Sequence, residues 1–184
     1  GIIPILLSAK TKAKKIYGIE LQERSFDLAL RNIQINSLGE RLEFICDDIK
    51  NVLSHFKSGS VDVVTCNPPY MSADSGFKNP DEPLAIARHE ICTNLSGVID
   101  ATRKILKFGG HFYMVHRPFR LAEIIGTLLS YKLEPKRMQL VYPFVDKEPN
   151  MVLLEASRGG NSRMTVEKPL IVYQKPGGYT SEIY

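Results

Sequence analysis

The sequence predicts an α/β protein built on a mostly parallel sheet, with an antiparallel strand pair near its carboxyl end. Three observations predict it. Short apolar runs at 16–20, 42–46, 61–65 and 111–115 alternate with stretches whose apolar residues recur at helical spacing, at 22–36, 95–106 and 121–129. The runs at 16–20 and 42–48 both finish on carboxylates, Glu20 and the pair Asp47-Asp48. Finally, strand-like runs at 133–142 and 150–156 are joined by a short loop, the mark of an antiparallel pair at one sheet edge. With no repeat, low-complexity segment or composition break, the chain of 184 residues reads as a single domain, 1–184.

Taken in order, a helix is expected near Ile2, where Pro4 is tolerated in the first turn. It would need a strand before it to complete a βαβ unit. The strand at 16–20 ends in Glu20, and in nucleotide-binding α/β folds an acid at that position accepts from ribose hydroxyls. The alternative is a surface glutamate. The helix at 22–36 has a stop signal in Gly39. The next strand ends in Asp47-Asp48, and two neighbouring acidic tips can serve a ribose and an adenine amine, as an adenosine-containing cofactor requires. A short helix is expected from Asp48-Ile49 to Phe56, and a turn at 58–60 leads into the fourth run. Residues 71–83 form a polar loop, and helices are expected at 84–92 and 95–106, the second stopped by Gly109-Gly110. A last short strand is expected at 169–173.

Composition excludes several classes. With 43% apolar and 24% charged residues the chain is that of an ordinary globular protein. A net charge of +4 permits nucleic acid binding without indicating it. No apolar run approaches the roughly 18 residues of a membrane span, and no charged leader with a cleavage site is present, so neither membrane insertion nor secretion is expected. Cys46, Cys66 and Cys92 are odd in number and far apart, and read as reduced thiols, two of them buried in or beside strands. His55, His89, His111 and His116 form no ligand cluster, so no metal is expected.

The chemistry concentrates at Asn67-Pro68-Pro69-Tyr70, where the fourth run delivers Asn67 at its carboxyl end. Two prolines fix φ and remove two backbone donors. The Asn67 side-chain oxygen and the Pro68 carbonyl suit the two hydrogens of a planar amine, with Tyr70 stacking on its plane. The plainer reading is a proline-stiffened turn with a core tyrosine. Further on, Arg88 offers a cation for a substrate phosphate, and His89 a group to orient a neighbour; the plainer reading there is a solvated helix face.

These features resemble the Rossmann-like class I S-adenosylmethionine (SAM) methyltransferases, and Asn67-Pro68-Pro69-Tyr70 resembles the motif of their amino-methylating branch. That motif together with Asn79-Pro80, Ile86-Ala87-Arg88-His89-Glu90-Ile91 and Gly178-Tyr179-Thr180-x-Glu182 resembles the bacterial tRNA adenine-N6 methyltransferases that modify an anticodon-loop adenine of a valine tRNA. The resemblance implies SAM as cofactor, an RNA substrate of the tRNA class, and a cytoplasmic location. It implies catalytic roles for Asn67, Pro68, Pro69 and Tyr70. Glu20 would bind the ribose, Leu21 pack on adenine, Asp48 accept from its amine, and the Ile49 backbone N–H meet a ring nitrogen, with Gly1 and Asn67 completing the cofactor contacts. Arg88, His89 and Arg117 would contact substrate, in a rim with Arg120, Arg158 and Arg163. The family's first strand ends in an Asp/Glu-x-Gly-x-Gly-x-Gly loop, of which Gly1 is what remains here. An amino-terminal segment carrying that strand is therefore expected ahead of Gly1. Two other functions stay open: protein glutamine N5-methylation, and RNA binding without catalysis.

Overall fold

The computed structural model describes residues 1–68 and 95–183. They form two compact units, Gly1–His55 and Phe56–Tyr184. The helix expected at 84–92, with Pro69, Tyr70, Arg88 and His89, lies outside the described residues.

In the first unit helix α1, Ile2–Lys10, precedes strand β1, Ile16–Glu20; helix α2, Glu23–Ile35, then crosses to strand β2, Leu42–Cys46. β1 and β2 are parallel neighbours, pairing Ile16 with Leu42 and Glu20 with Cys46. A parallel pair needs such a crossover, and a helix supplies it. Period-2 alternation turns Ile16, Leu42 and Phe44 inward, where they meet Ala29 of α2, with Phe26, Ile33 and Leu38 packed around them. Phe44 lies against Gly1 and Gly18, and a Cβ on Gly18 would come 2.3 Å from its ring. α2 stops earlier than Gly39. Ser37 takes a left-handed φ of 53°, its N–H bonds Gln34 O at 3.2 Å, and Leu38 N–H bonds Ile33 O at 3.0 Å. That is a Schellman stop with serine in the usual glycine position.

Arg41 knits this unit together from a position the sequence leaves unremarked. Its guanidinium donates to the carbonyls of Ser8 at 3.1 Å, Thr11 at 2.9 Å and Ala13 at 2.7 Å. It thereby binds the end of α1 and the following loop to the start of β2. After β2 the chain makes a 3-10 turn, Ile49–Ser54, shorter and tighter than the helix expected to reach Phe56.

The second unit holds β3, Val61–Cys66; α3, Leu95–Ile105; β4, Leu106–His116; α4, Leu121–Ser130; β5, Leu133–Tyr142; and β6, Met151–Arg158. Short strands β7, Thr165–Val166, and β8, Leu170–Ile171, follow, then a hairpin of β9, Tyr173–Lys175, and β10, Gly178–Tyr179. The strand order is β3-β4-β6-β5-β7, with β8 also on β5. β3 and β4 are parallel, whereas β6 runs antiparallel to both β4 and β5. The expected late antiparallel pair is present, but β7 and β8 cover its outer side.

α3 buries Leu95, Val98 and Ile99 against Phe112, Met114, Leu154 and the α4 residues Ile124 and Leu128. Glycines 109 and 110 do not stop α3, which ends at Ile105; they bend β4. Between the pairs Val61–Leu106 and Val63–His111 the register slips. Gly109 has a φ of 78°, and a Cβ on Gly110 would meet Lys107 O at 2.9 Å and Asp62 O at 3.0 Å. The bend therefore needs glycine twice, once for conformation and once for close approach.

Since β4 and β5 are both antiparallel to β6, and β3 is parallel to β4, the carboxyl ends of β3, β4 and β5 share one edge of the sheet. Cys66, His116 and Tyr142 mark that edge.

Candidate functional site

The first unit presents the acidic tips. Glu20 closes β1 opposite Cys46, and its backbone carbonyl receives Asp47 N–H at 3.1 Å, so the two strand ends stay adjacent. The Glu20 carboxylate accepts Gln22 N–H at 3.1 Å, which steadies the turn into α2. Beside it Leu21 is 41% exposed, an apolar side chain left at the surface.

Asp48 caps the 3-10 turn, its Oδ1 accepting Lys50 N–H at 2.9 Å. Ile49 opens that turn, and N–H groups at such a start have no acceptor within it. The order of the cap is set one residue earlier. The Asp47 carboxylate accepts Asp48 N–H at 2.7 Å and Asn51 Nδ2 at 2.8 Å, and meets His55 Nε2 at 2.6 Å. The bond to His55, then that to Asn51, holds its carboxyl below the ordinary aspartate range. Asp47, Asn51 and His55 recur every fourth residue, a helical spacing that is visible in the sequence.

Gly1 sits before α1, and a Cβ there would reach 2.6 Å from Phe44 Cζ, so its lack of a side chain serves packing. Cys46, expected to be buried, is exposed: it is the last residue of β2, and although alternation puts it on the same face as Phe44, the core cover ends before it. Cys66 is partly buried against the core, and burial pushes its thiol up to about 12.

The second unit presents Asn67 and its neighbours at the carboxyl edge of its sheet. Asn67 follows the last residue of β3 and is exposed, whereas Pro68 is buried. Burial of Pro68 anchors the turn, while Asn67 stays exposed. At the neighbouring strand end His116 is 1% exposed. Its Nδ1 accepts Arg117 N–H at 2.8 Å, which leaves the proton of the neutral ring on Nε2. Burial, reinforced by the Arg120 charge, lowers its pKa.

The arginine rim is only partly assembled. Arg117 donates to Asn150 O at 2.9 Å, tying the end of β4 to the β5–β6 loop. Arg120 is paired with Glu123 at 2.8 Å, and Phe119, between Arg117 and Arg120 in the chain, is 78% exposed. Arg158 lies at the opposite edge, where it donates to Leu106 O at the start of β4. Arg163 follows β6 towards the same side, just before Thr165, which pairs with Arg137 in the first half of β5. Neither joins the carboxyl edge.

Two carboxylates, an exposed apolar side chain and a helical-start N–H form a donor set matching a ribose diol, an adenine face, its amine and a ring nitrogen. The chain is also similar to known proteins. Residues 5–75 match the methyltransferase domain described as RMKL-like. The tRNA1(Val) (adenine(37)-N6)-methyltransferase of Aeromonas hydrophila is 25% identical over 181 residues, 98% of this chain and 73% of that protein. The enzyme of the same name from Flavobacterium johnsoniae is 23% identical over 172 residues, 93% and 72% of the two chains. Among solved structures, a predicted O-methyltransferase, Atu636 of Agrobacterium tumefaciens, superposes with a TM-score of 0.76 at 19% identity, over 96% of this chain and 78% of its own. The geranyl diphosphate C-methyltransferase of Streptomyces coelicolor, solved with S-adenosyl-L-homocysteine, gives 0.61 at 11% identity over 84% and 68%. These likenesses establish the Rossmann-like methyltransferase fold.

Proposed function

We propose that this chain, an S-adenosylmethionine-dependent methyltransferase, methylates an exocyclic amine, adenine N6 of a transfer RNA. The observation that carries the reading is the exposed Asn67 directly beyond β3, followed by the buried Pro68. The names of the relatives supply the substrate class.

Glu20, Leu21, Asp48 and Ile49 hold the adenosine part of the cofactor. Bound SAM supplies an electrophilic sulfonium methyl and takes the electron pair of the broken sulfur–carbon bond. An adenine amine is a poor nucleophile, since its lone pair is delocalised into the ring. By accepting its two hydrogens, the Asn67 side-chain oxygen and the Pro68 carbonyl favour a tetrahedral nitrogen with its lone pair free for attack. Holding the nitrogen in place supplies a further part of the acceleration. The surplus amine proton passes to solvent after transfer, so no strong base is required.

Asn67→Ala should lower kcat by about a hundredfold or more, the usual cost of losing one oriented polar contact to a reacting group. SAM affinity, measured by calorimetry, should stay unchanged. Near-normal turnover in that variant would remove Asn67 from the chemistry.

A further inference from the structure

On the carboxyl edge that carries Asn67, the second unit builds an aromatic cleft that the chemistry above leaves unused. Phe144 follows β5, Tyr173 opens β9 and Tyr179 closes β10. The Tyr173 and Tyr179 rings stack with centroids 5.1 Å apart and planes 20° apart. Phe144 joins them 5.4 Å from Tyr173. With Gly177 these three rings line an open cleft of about 360 Å³. A Cβ on Gly177 would meet nothing within 4 Å, so the turn leaves the mouth clear.

The cleft is fixed to the sheet by its backbone. Val172 N–H bonds Tyr142 O at 2.8 Å, Tyr173 N–H bonds Pro143 O at 2.9 Å, and Thr180 N–H bonds Val172 O at 3.0 Å. The rings are thus placed in advance of any partner, which lowers the ordering cost of binding.

We infer that this cleft is a stacking platform for an unpaired nucleotide of the RNA substrate, one flanking the adenine that Asn67 receives. The inference rests on the RNA-methylating reading. Three features select this occupant. The lining is aromatic rather than aliphatic, and stacked rings extend naturally to a base, every base having a π-face. Tyr179 is 46% exposed and Phe119, beyond β4 on the same edge, is 78% exposed. Lys175 has no carboxylate partner among the described residues, and its stem lies along Gly178, with Cγ 3.3 Å from where a Cβ would stand. On the loop after Phe144 the cation Lys147 is already paired with Asp146 at 3.5 Å, so the affinity is assigned to stacking rather than to charge.

The chain has no tryptophan, so Tyr179→Trp adds an indole reporter at the cleft, read as the difference from the parent protein. Full-length protein carrying that change is titrated with a short single-stranded oligoribonucleotide and, separately, with inorganic polyphosphate. Tyr179→Ala and Tyr179→Phe are assayed for RNA affinity, methyl transfer to RNA and SAM affinity. The platform predicts saturable quenching by the oligoribonucleotide and none by polyphosphate. It predicts RNA binding weaker by about tenfold or more in Tyr179→Ala, near-normal in Tyr179→Phe, with SAM affinity unchanged in both. Unquenched indole with bound RNA, full RNA affinity in Tyr179→Ala, or no RNA binding by the parent protein would each overturn it. Quenching and a weakened alanine variant without methyl transfer to adenine would retain the platform and refute the adenine-N6 reading. Methyl transfer with an indifferent cleft would do the reverse.

Discussion

Asp47 orders the turn that Asp48 caps, Asp48 being the residue proposed above to read adenine. Three donors converge on the Asp47 carboxylate, from Asp48, Asn51 and His55. Removing it frees the backbone that aims Asp48. Asp47→Ala should therefore weaken SAM binding while leaving kcat at saturating SAM close to normal, a split that titration calorimetry and steady-state kinetics will read. Loss of kcat with unchanged SAM affinity would place Asp47 with the acceptor instead. Asp48→Ala should weaken SAM binding directly, by about tenfold, the loss expected for one hydrogen bond to a bound amine. Unchanged affinity there would refute its placement beside adenine.

At the scale of elements, the strands were legible as short apolar runs bounded by polar and turn residues, and 16–20, 42–46 and 61–66 are read from sequence almost to the residue, although β3 is less buried than such a run suggests. Their ends were less so. Glycine was read as the stop signal for α2 and α3, yet Ser37 stops the first and the β4 bend takes the glycines meant for the second. Both errors have one cause: a glycine shows that the backbone is unusual somewhere near, and only the hydrogen bonds show where. The site divides in the same way. Glu20, Asp48 and Asn67 announced themselves as polar residues at strand ends, whereas the Asp47–Asn51–His55 network and the aromatic cleft depend on side-chain meetings that spacing only hints at. Two substitutions test the local accounts. Ser37→Gly relieves a left-handed serine and should stabilise the protein by about 0.5–1 kcal/mol in urea unfolding. Gly110→Ala should destabilise by about 1–3 kcal/mol, because its methyl group would press on two backbone carbonyls.

At the scale of the whole molecule, stability should fall on the acid side for two reasons of the same sign. His116 is buried with its pKa lowered, so the fold favours the neutral ring. Its contribution is full above the ordinary histidine range and is lost as pH falls through the lowered value. Asp47 is held below the ordinary aspartate range, so its contribution is complete above that range and fades at lower pH. Thermal unfolding followed from pH 8 downward should show a first decline as His116 begins to charge, and His116→Gln should flatten it. No helix of the described residues is long and apolar enough to cross a membrane. The most direct test of the central claim is methyl transfer from radiolabelled SAM by the full-length protein to separate pools of tRNA, rRNA and cell protein, from cells lacking it, with nucleoside analysis of the product. Label recovered as N6-methyladenosine from tRNA is the predicted result; label confined to protein, as methylated glutamine, would contradict it.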